Sequence, residues 1–306
     1  MQVVGAFACS HAALFISRRE AASATQCSRI HGAFARMGQL IREHRPDALV
    51  VVGTDHGRIY PLSGMPQYLI GVSEQAVGIG DAGLPDKVLP LHQSFARSIL
   101  DGLLEEGVDM AFSEAMRIDH SFLTPLLLAL PELDIPIVPI VQNCNAPPLP
   151  KLERSYQVGR SLARALMKGP EGRVVVIGTG GLSHWVGSAE FRAFMSGPAG
   201  SRLARQTQFP LQLPESGDVN EEFDRDFIEI LRHGRAKEFI RDWDTRRIGE
   251  IAGNGAQEVR NWLLLAGLTA DAPATLLDYE PVKPWLTGVA LVQFAIPEPV
   301  RPAGGA

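Results

Sequence analysis

Four of the eight histidines lie just after runs of residues that are typical of buried strands. They are His11 after residues 3–8, His56 after 47–53, His120 after the extended-looking 110–119 and His184 after 173–178. Open α/β sheets bind their ligands at the carboxyl ends of their strands. A single histidine in such a place is usually an ordinary loop or core residue. The repeated placement favours a shared site for His11, His56 and His184, and it leaves both interpretations open for His120.

A carboxylate completes this pattern near the end of the chain. In "IAGNGAQEVRNWLLLAGL" (251–268) a helix is predicted to begin after Asn254–Gly255, with Glu258 one turn before Trp262 on its apolar stripe. A carboxylate that faces a core is costly unless it is paired or binds a cation. The alternative is a first-turn glutamate that the helix dipole favours.

Two neutral imidazoles and one carboxylate are the ligand set that holds Fe(II) with open coordination positions. The same set can hold Zn²⁺ and activate a water molecule. The residues alone do not choose between these two metals. A further histidine beside the metal would suit general acid–base chemistry, because the pKa of an imidazole lies near physiological pH.

The glycines in "VVVIGTGGLSHW" (174–185) have competing interpretations. "GTGGLS" approximates the dinucleotide-binding pattern G-x-G-x-x-G, but Ser183 replaces the final glycine and no acidic-ended second strand follows about 20 residues later. "GGLSH" also departs from the G-x-S-x-G pattern of serine hydrolases. We therefore expect the glycines to turn the backbone sharply and to bring His184 to the site.

The elements that must position these residues alternate along the chain. Near-continuous apolar runs, typical of strands covered on both faces, occupy 3–8, 47–53, 135–142 and 173–178. Helical stretches are predicted at about 26–44, 86–106 and 152–168, and a helical region at 223–267. This order predicts an α/β fold in which a central, mostly parallel or mixed sheet is flanked by helices, with the active site at the carboxyl ends of the strands.

Composition excludes several classes of protein. The net charge of -5 comes from interspersed signs with no basic stripe, so nucleic acid is not an expected partner. No apolar run reaches the roughly 18–20 residues that span a bilayer, so no membrane association is expected. Three cysteines without CxxC spacing indicate neither a disulfide framework nor a zinc ribbon. The first residues lack the basic start of a signal peptide, and a cytoplasmic location is expected.

Five motifs in this order resemble those of the class III extradiol ring-cleavage dioxygenases. They are "SHAALF" (10–15), "TDHGRIY" (54–60), "IDHSF" (118–122), "GTGGLSH" (178–184) and "IAGNGAQEVRNWL" (251–263). The resemblance extends over roughly residues 1–296 and includes the ending "YEPVKPWLTGVALVQF" (279–294). It implies Fe(II) bound by His11, His56 and Glu258, with dioxygen as co-substrate. It also implies a small catecholic substrate and a product of the 2-hydroxymuconic semialdehyde class.

The same resemblance implies roles for the other histidines. His184 would be the base that removes a catechol proton, and His120 would be a second acid–base residue that protonates the leaving oxygen. Asp119 is expected to orient the ring of His120 as the family's Asp–His pair does, and Asp55 to support the site beside His56.

Substrate recognition and assembly are less constrained. Arg58, close after His56, is a candidate for pairing with a substrate carboxylate. Trp185, followed by Val186, stands where relatives tend to have a polar residue and proline, so Trp185 is a candidate for shaping the pocket. A homo-oligomer is expected, since closed symmetric assemblies are the commonest state. Some relatives also need a small partner subunit, so such a subunit is a second candidate partner.

One catalytic domain is expected over 1–298. Residues 186–222 would form either a lid over the site or a surface insertion, and 299–306 a flexible tail. Two other functions share these features: a zinc-dependent hydrolase that uses the same ligand set, and a non-catalytic binding module of the same fold. Retention of two acid–base candidates beside the ligand set argues against the binding module.

Overall fold

The structure is a computed structural model and describes residues 1–61, 63–185 and 218–297. Its strands are β1 Gln2–Cys9, β2 Ala48–Gly53, β3 Tyr68–Gly71, β4 Gln75–Gly78, β5 Val88–Pro90, β6 Ala111–Ser113, β7 Arg117–Ile118, β8 Ile137–Gln142, β9 Arg173–Thr179, β10 Ala274–Val282 and β11 Thr287–Phe294. Its α-helices are α1 Leu14–Ser17, α2 Ala24–Glu43, α3 Gln93–Glu105, α4 His120–Ala129, α5 Leu152–Lys168, α6 Glu221–Arg232, α7 Ala236–Asp242, α8 Thr245–Ile251 and α9 Val259–Leu268.

The central sheet is mixed. Within the described ranges it has eight strands in the order β10-β11-β1-β9-β2-β8-β3-β6, and a smaller sheet has the order β5-β4-β7. Strands β1, β9, β2 and β8 run parallel to one another, whereas β11 is antiparallel to β1 and β3 is antiparallel to β8. The predicted α/β class with a mixed central sheet is confirmed.

Both faces of the sheet are buried, as the near-continuous apolar runs predict. In β1, Ala6 and Ala8 belong to one apolar cluster and Phe7 and Cys9 to the other. Helices α3, α5 and α9 cover the first face, and α2 and α4 cover the second. The period-2 alternation of a strand therefore divides its apolar side chains between two cores.

One predicted helix is partly wrong. The helix expected over 86–106 begins only at Gln93, and Val88–Pro90 forms β5, which pairs antiparallel with β4. Val88 and Pro90 are exposed and Leu89 is buried, which is the two-residue period of a half-buried strand. Three residues are too few for this period to be recognised in the sequence.

The small sheet delivers His120 to the site. Strand β7 ends at Ile118, and the side chain of Asp119 then caps α4 by accepting the N–H of Ser121 at 2.9 Å. His120 is therefore the first residue of α4, and the extended stretch predicted before it is confirmed in β6 and β7.

Residues 186–222, predicted to form a lid or a surface insertion, lie mostly outside the described residues. The predicted tail, 299–306, also lies outside them. The end of that stretch enters α6, which begins at Glu221. No helix in the described part of the chain has both the length and the apolar character that crossing a bilayer requires.

Candidate active site

Three adjacent parallel strands deliver three histidines to one edge of the sheet. His11 follows β1, His184 follows β9 and His56 follows β2, in the order β1-β9-β2. The fourth group, Glu258, ends a short 3-10 turn that leads directly into α9. The sequence argument from strand ends therefore identified residues that the fold does bring together.

The glycine turn after β9 lets this edge pack against Glu258. A Cβ at Gly180 would lie 2.6 Å from the carbonyl oxygen of Glu258, and a Cβ at Gly178 would lie 2.8 Å from that of Asn261. Because only glycine allows these backbones to approach so closely, the turn serves to position His184 and Glu258. The N–H of Gly181 then donates to Glu258 Oε2 at 2.6 Å.

The carboxylate of Glu258 lies between two imidazoles. Its Oε2 is 3.0 Å from His11 Nε2, and its Oε1 is 3.0 Å from His56 Nε2. Glu258 is fully buried at 0% exposure and His11 is 2% exposed. The predicted ligand set of His11, His56 and Glu258 thus converges on one small volume away from bulk water.

The other ring nitrogen of each ligand histidine is held by an acceptor. Thr179 Oγ1 donates its proton to the carbonyl oxygen of Ser121 at 2.8 Å, so it can only accept from His11 Nδ1 at 3.1 Å. The carboxylate of Asp119 accepts from His56 Nδ1 at 2.8 Å. Each Nδ1 therefore carries a proton, and each Nε2 faces Glu258, where it can donate a second proton to the carboxylate or offer its lone pair to a metal ion, the arrangement that metal-binding histidines show.

These donor atoms require a cation between them. Two imidazole lone pairs and a buried carboxylate repel one another unless a proton or a metal ion is present. Burial alone would lower the pKa of His56. The charge of Asp119 and the hydrogen bonds to Asp119 and Glu258 outweigh burial and raise this pKa to about 10. Burial likewise opposes the charge of Glu258, yet His11 and His56 hold its pKa well below the usual range. The set accordingly fits a divalent metal ion.

His120 lies directly beside the ligand set. Its ring stacks on that of His56 with the centroids 4.1 Å apart, and ring nitrogens of His11, His56 and His120 all lie within 4.8 Å of one another. Burial is the main cause that lowers the pKa of His120, and the charge of His56 adds to it despite the nearby Asp81. His120 is thus a neutral imidazole at the edge of the site.

The expected partner of His120 is wrong. Asp119 makes no hydrogen bond to the ring of His120. It caps α4, and this turns its carboxylate toward His56, from which it accepts both the backbone N–H, at 3.0 Å, and the ring Nδ1–H. The residue that holds His120 is Asp81, whose Oδ2 lies 2.5 Å from Nδ1. Sequence reasoning missed Asp81; the only signal was an acidic residue within the glycine-rich "GIGDAGLP" (78–85).

His184 approaches Glu258 from the other side. Its Nδ1 donates to the carbonyl oxygen of Leu182 at 2.9 Å, and its Nε2 is 4.0 Å from Glu258 Oε2. Its backbone is fixed by hydrogen bonds from its N–H to Ala252 and from Gly255 to its carbonyl oxygen. Burial lowers the pKa of His184 more than the charge of Glu258 raises it. The ring is therefore neutral with a free lone pair on Nε2.

Asp55 supports the loop that carries His56. Its carboxylate accepts backbone N–H groups of Arg58 and Ile59 at 3.1 Å and of Tyr60 at 3.0 Å, and it makes no hydrogen bond to the imidazole. Its pKa is raised, chiefly by burial and then by the charge of Asp119.

The two predicted substrate contacts have partners within the chain. Arg58 Nη1 lies 2.9 Å from Asp81 Oδ2, and the Arg58 side chain is only 7% exposed. Trp185 Nε1 donates to the carbonyl oxygen of Asp218 at 3.1 Å. Their roles in binding a substrate stay predictions, but the guanidinium of Arg58 already meets a carboxylate of the protein itself.

Comparisons with known proteins identify relatives of this chain. The curated relatives include two proteins named 2,3-dihydroxyphenylpropionate/2,3-dihydroxicinnamic acid 1,2-dioxygenase. The one from Mycolicibacterium vanbaalenii is 31% identical over 253 residues, covering 76% of this chain and 79% of the relative. The one from Photorhabdus laumondii is 29% identical over 296 residues, covering 86% and 89%.

A solved structure and a family model extend the comparison. An uncharacterized protein from Escherichia coli K12 shares the fold with a TM-score of 0.58 at 16% identity, over 95% of this chain and 99% of that one. Residues 5–290 match the family model described as the catalytic LigB subunit of aromatic ring-opening dioxygenase. The chain therefore belongs to this family of aromatic ring-opening dioxygenases.

Proposed function

We propose that the chain is an extradiol dioxygenase that cleaves a catecholic ring beside its diol, using Fe(II) held by His11, His56 and Glu258. The observation that carries this proposal is the convergence of two Nε2 lone pairs and one carboxylate at 3.0 Å, at an edge that two further neutral histidines also reach. When bound, Fe(II) in this ligand set supplies adjacent open positions that bring diol and dioxygen together and let electron density pass between them.

His184 is suited to act as the base. Its Nδ1–H is engaged by Leu182, so its Nε2 is free to accept a proton from a catechol hydroxyl. The buried carboxylate of Glu258, 4.0 Å away, stabilises the imidazolium that results. Removal of this proton makes the diol a better ligand for a divalent cation, since metals bind the deprotonated form of their ligands.

His120 is suited to return a proton later in the reaction. Catechol plus dioxygen has the same atoms as the ring-opened semialdehyde, so every proton that the protein takes from the diol must be given back. Asp81 holds the Nδ1–H of His120 and leaves its Nε2 lone pair free to take the second hydroxyl proton of the diol and to give it later to the oxygen that leaves the ring. Two neutral histidines beside the ligand set, His184 and His120, thus take one proton each, and both protons are returned to the product.

Burial restricts competing reactions with water. His11, Glu258 and Asp119 are each 2% exposed or less, and His120 is 8% exposed. Charges in such an enclosed site interact more strongly than in water, so the carboxylates stabilise the protonated imidazoles efficiently.

The test is anaerobic reconstitution with Fe(II), followed by dioxygen uptake and absorbance on catechols with carboxylate, propionate, aryl or amino substituents. The panel includes the 2,3-dihydroxyphenylpropionate for which the relatives are named. We expect dioxygen uptake with a yellow product, lost in His184→Ala and in Glu258→Ala. The exposed His233→Ala serves as the matched control and keeps full activity.

Three other outcomes would contradict the proposal. Stoichiometric zinc with hydrolysis and no colour would indicate the hydrolase. Failure to bind iron would exclude the ligand set. Binding of catechols without dioxygen uptake, in protein that contains stoichiometric iron, would indicate a binding module.

A further inference from the structure

A buried chain of side chains, Arg58–Asp81–His120, stands behind the second acid–base histidine. Asp81 Oδ2 accepts from His120 Nδ1 at 2.5 Å and lies 2.9 Å from Arg58 Nη1. The side chains of Asp81 and Arg58 are 3% and 7% exposed. We propose that Asp81 is a positioning residue that sets the tautomer and orientation of His120, with Arg58 as its countercharge; this inference rests on the proposed function.

The hydrogen bond decides which nitrogen of His120 faces the site. An ionised carboxylate only accepts hydrogen bonds, so Nδ1 must carry the proton and Nε2 the lone pair. Stacking on His56 fixes the plane of the ring, but it does not distinguish the ring from its 180° flip about the Cβ–Cγ bond. In the flipped ring Nδ1 and a carbon exchange places, and the bond to Asp81 is lost. Asp81 therefore selects one of two orientations that packing alone would allow.

The backbone around Asp81 is strained. Gly80, Ala82 and Gly83 have φ values of 60°, 51° and 85°, all in the left-handed region. For Ala82, which carries a Cβ, this conformation is unfavourable. Strained residues persist where the surrounding structure requires them, and they concentrate at functional sites. Here the three left-handed residues flank Asp81, whose carboxylate accepts from His120 Nδ1.

The pair of Arg58 and Asp81 is also incompletely satisfied. Among the described residues, Asp81 Oδ1 and both Nε and Nη1 of Arg58 are buried and have no hydrogen-bond partner, so Nη1 meets Asp81 Oδ2 at 2.9 Å as an ion pair without hydrogen-bond geometry. A buried ion pair that leaves polar atoms unpaired is a weak source of stability, because its desolvation is costly. A role in stability alone therefore explains this pair poorly.

Arg58 keeps Asp81 in the form that the hydrogen bond needs. Burial by itself would favour the protonated carboxyl, whose O–H would compete with Nδ1–H. The hydrogen bond from His120 Nδ1–H and the charge of Arg58 oppose this, and the pKa of Asp81 is lowered. Arg58 thereby acts through Asp81 on the histidine.

The primary test is a double-mutant cycle in the iron-loaded protein with Asp81→Asn and His120→Gln. We expect Asp81→Asn to lower kcat by about 10–100-fold, the size typical of losing a residue that orients a functional histidine, with KM and iron content nearly unchanged. In the His120→Gln background the same change should alter kcat by less than about twofold, because its effect passes through His120. An equal loss in both backgrounds, or no loss in either, would overturn the proposal.

A second measurement does not use turnover. In metal-free protein labelled with ¹⁵N-histidine, His120 is assigned by comparison with His120→Gln, and we expect it to show a protonated Nδ1 and an unprotonated Nε2. Asp81→Asn should shift this signal toward a mixture of tautomers. An unchanged signal would overturn the positioning role even in a protein that cleaves catechols, whereas a shifted signal supports it even if no catechol is turned over.

Two further variants guard against a folding defect. Arg58→Lys keeps the charge but loses the planar guanidinium, so it should give a smaller loss of kcat with the same dependence on His120. Glu114→Gln removes a carboxylate from an exposed ion pair with Arg97 and should leave kcat and the histidine spectrum unchanged.

Discussion

Two buried carboxylates contact the same glycine turn, one from each side. Glu258 Oε2 accepts the N–H of Gly181 at 2.6 Å, and Asp224 Oδ1 accepts the N–H of Ser183 at 2.7 Å. Both residues are 0% exposed. Their other partners differ: Glu258 faces two imidazoles, whereas Asp224 accepts from the hydroxyls of Ser183 at 2.9 Å and Tyr279 at 3.0 Å.

This difference in partners reverses the effect of burial on charge. His11 and His56 hold the pKa of Glu258 well below its usual range. Around Asp224 burial outweighs the hydrogen bonds, and the pKa rises to about 6. Neutral donors compensate a buried charge less well than groups that carry a positive charge. The carboxylate at the site is thus prepared to balance a cation, while the carboxylate behind the turn serves to hold the backbone.

The largest effect is expected from Glu258→Gln. The amide keeps the shape of the side chain but removes the charge that balances the cation between His11 and His56. We expect Fe(II) affinity to fall by more than about 100-fold, beyond the loss seen when a residue supporting a ligand is removed, and ring opening to vanish. Metal content after gel filtration measures this. Asp224→Asn is the matched control and should keep stoichiometric iron, so equal iron content in both variants would contradict the comparison.

A smaller effect is expected when the shared turn itself is changed. A Cβ at Gly181 would lie 2.6 Å from Nδ1 of His184. Gly181→Ala should therefore displace that ring by about 1 Å, and misplacement of this size can cost about 100-fold in rate. Steady-state turnover on the preferred catechol measures it. Gly32→Ala, where a Cβ meets nothing within 4 Å, should have no effect, and full activity in Gly181→Ala would show that the turn does not position His184.

Asp224 should make stability depend on pH in the direction opposite to that of a paired carboxylate. Its folded pKa of about 6 lies above the ordinary 3.8, so the folded protein binds the proton more tightly than the unfolded chain. The stability from this group is present below about pH 3.8 and is lost as pH rises through about 6.

Between pH 5 and 7.5 that loss amounts to about 1.4 kcal/mol. The free energies of unfolding of wild type and Asp224→Asn are measured with urea at both pH values. The difference between the two proteins should change by this amount from pH 5 to pH 7.5, since the contributions of other groups cancel in the difference. A difference that stays constant, or that changes with the opposite sign, would show that Asp224 remains ionised throughout.

The smallest effect is expected from Tyr279→Phe. The change removes one of the three donors to Asp224 but keeps the ring over which the Arg225 guanidinium lies at 4.8 Å. We expect a loss of about 1 kcal/mol in the free energy of unfolding, larger at pH 7.5 than at pH 5 because an ionised acceptor binds the hydroxyl more strongly. A loss independent of pH would indicate that the hydroxyl contributes through packing only.

The sequence predicted the residues whose positions follow from local patterns. His11, His56 and His184 follow apolar runs that form strands in almost any context, and adjacent parallel strands end at one edge of a sheet. Glu258 was recognisable because a carboxylate lies beside the apolar stripe of a helix. Each inference needed only the spacing of apolar residues in the adjacent strand or helix, and this spacing can be read from a short stretch of sequence.

The residues that support these groups were not predictable in the same way. Asp81 reaches His120 from the turn between β4 and β5, whereas His120 follows β7, which joins the same small sheet from further along the chain, so that 39 residues separate the two partners. Asp119 was assigned to its neighbour His120, but capping of α4 turned it to His56. Asp224 lies on α6, whose amphipathic pattern does not show that Ser183 will pack against it. Such partners depend on tertiary packing.

The position of β1 in the middle of the sheet has a consequence for biosynthesis. Gln2 pairs with Arg173 and Ala6 with Phe294, so β1 leaves the ribosome well before both of its neighbours and can pair with them only after most of this sequence has been made. In the proposed site His11 shares the metal with Glu258, which is also translated late. We expect iron to bind only after translation is nearly complete, because its binding brings together residues that are far apart in the sequence. Supply of the metal during refolding should then set how fast active protein appears.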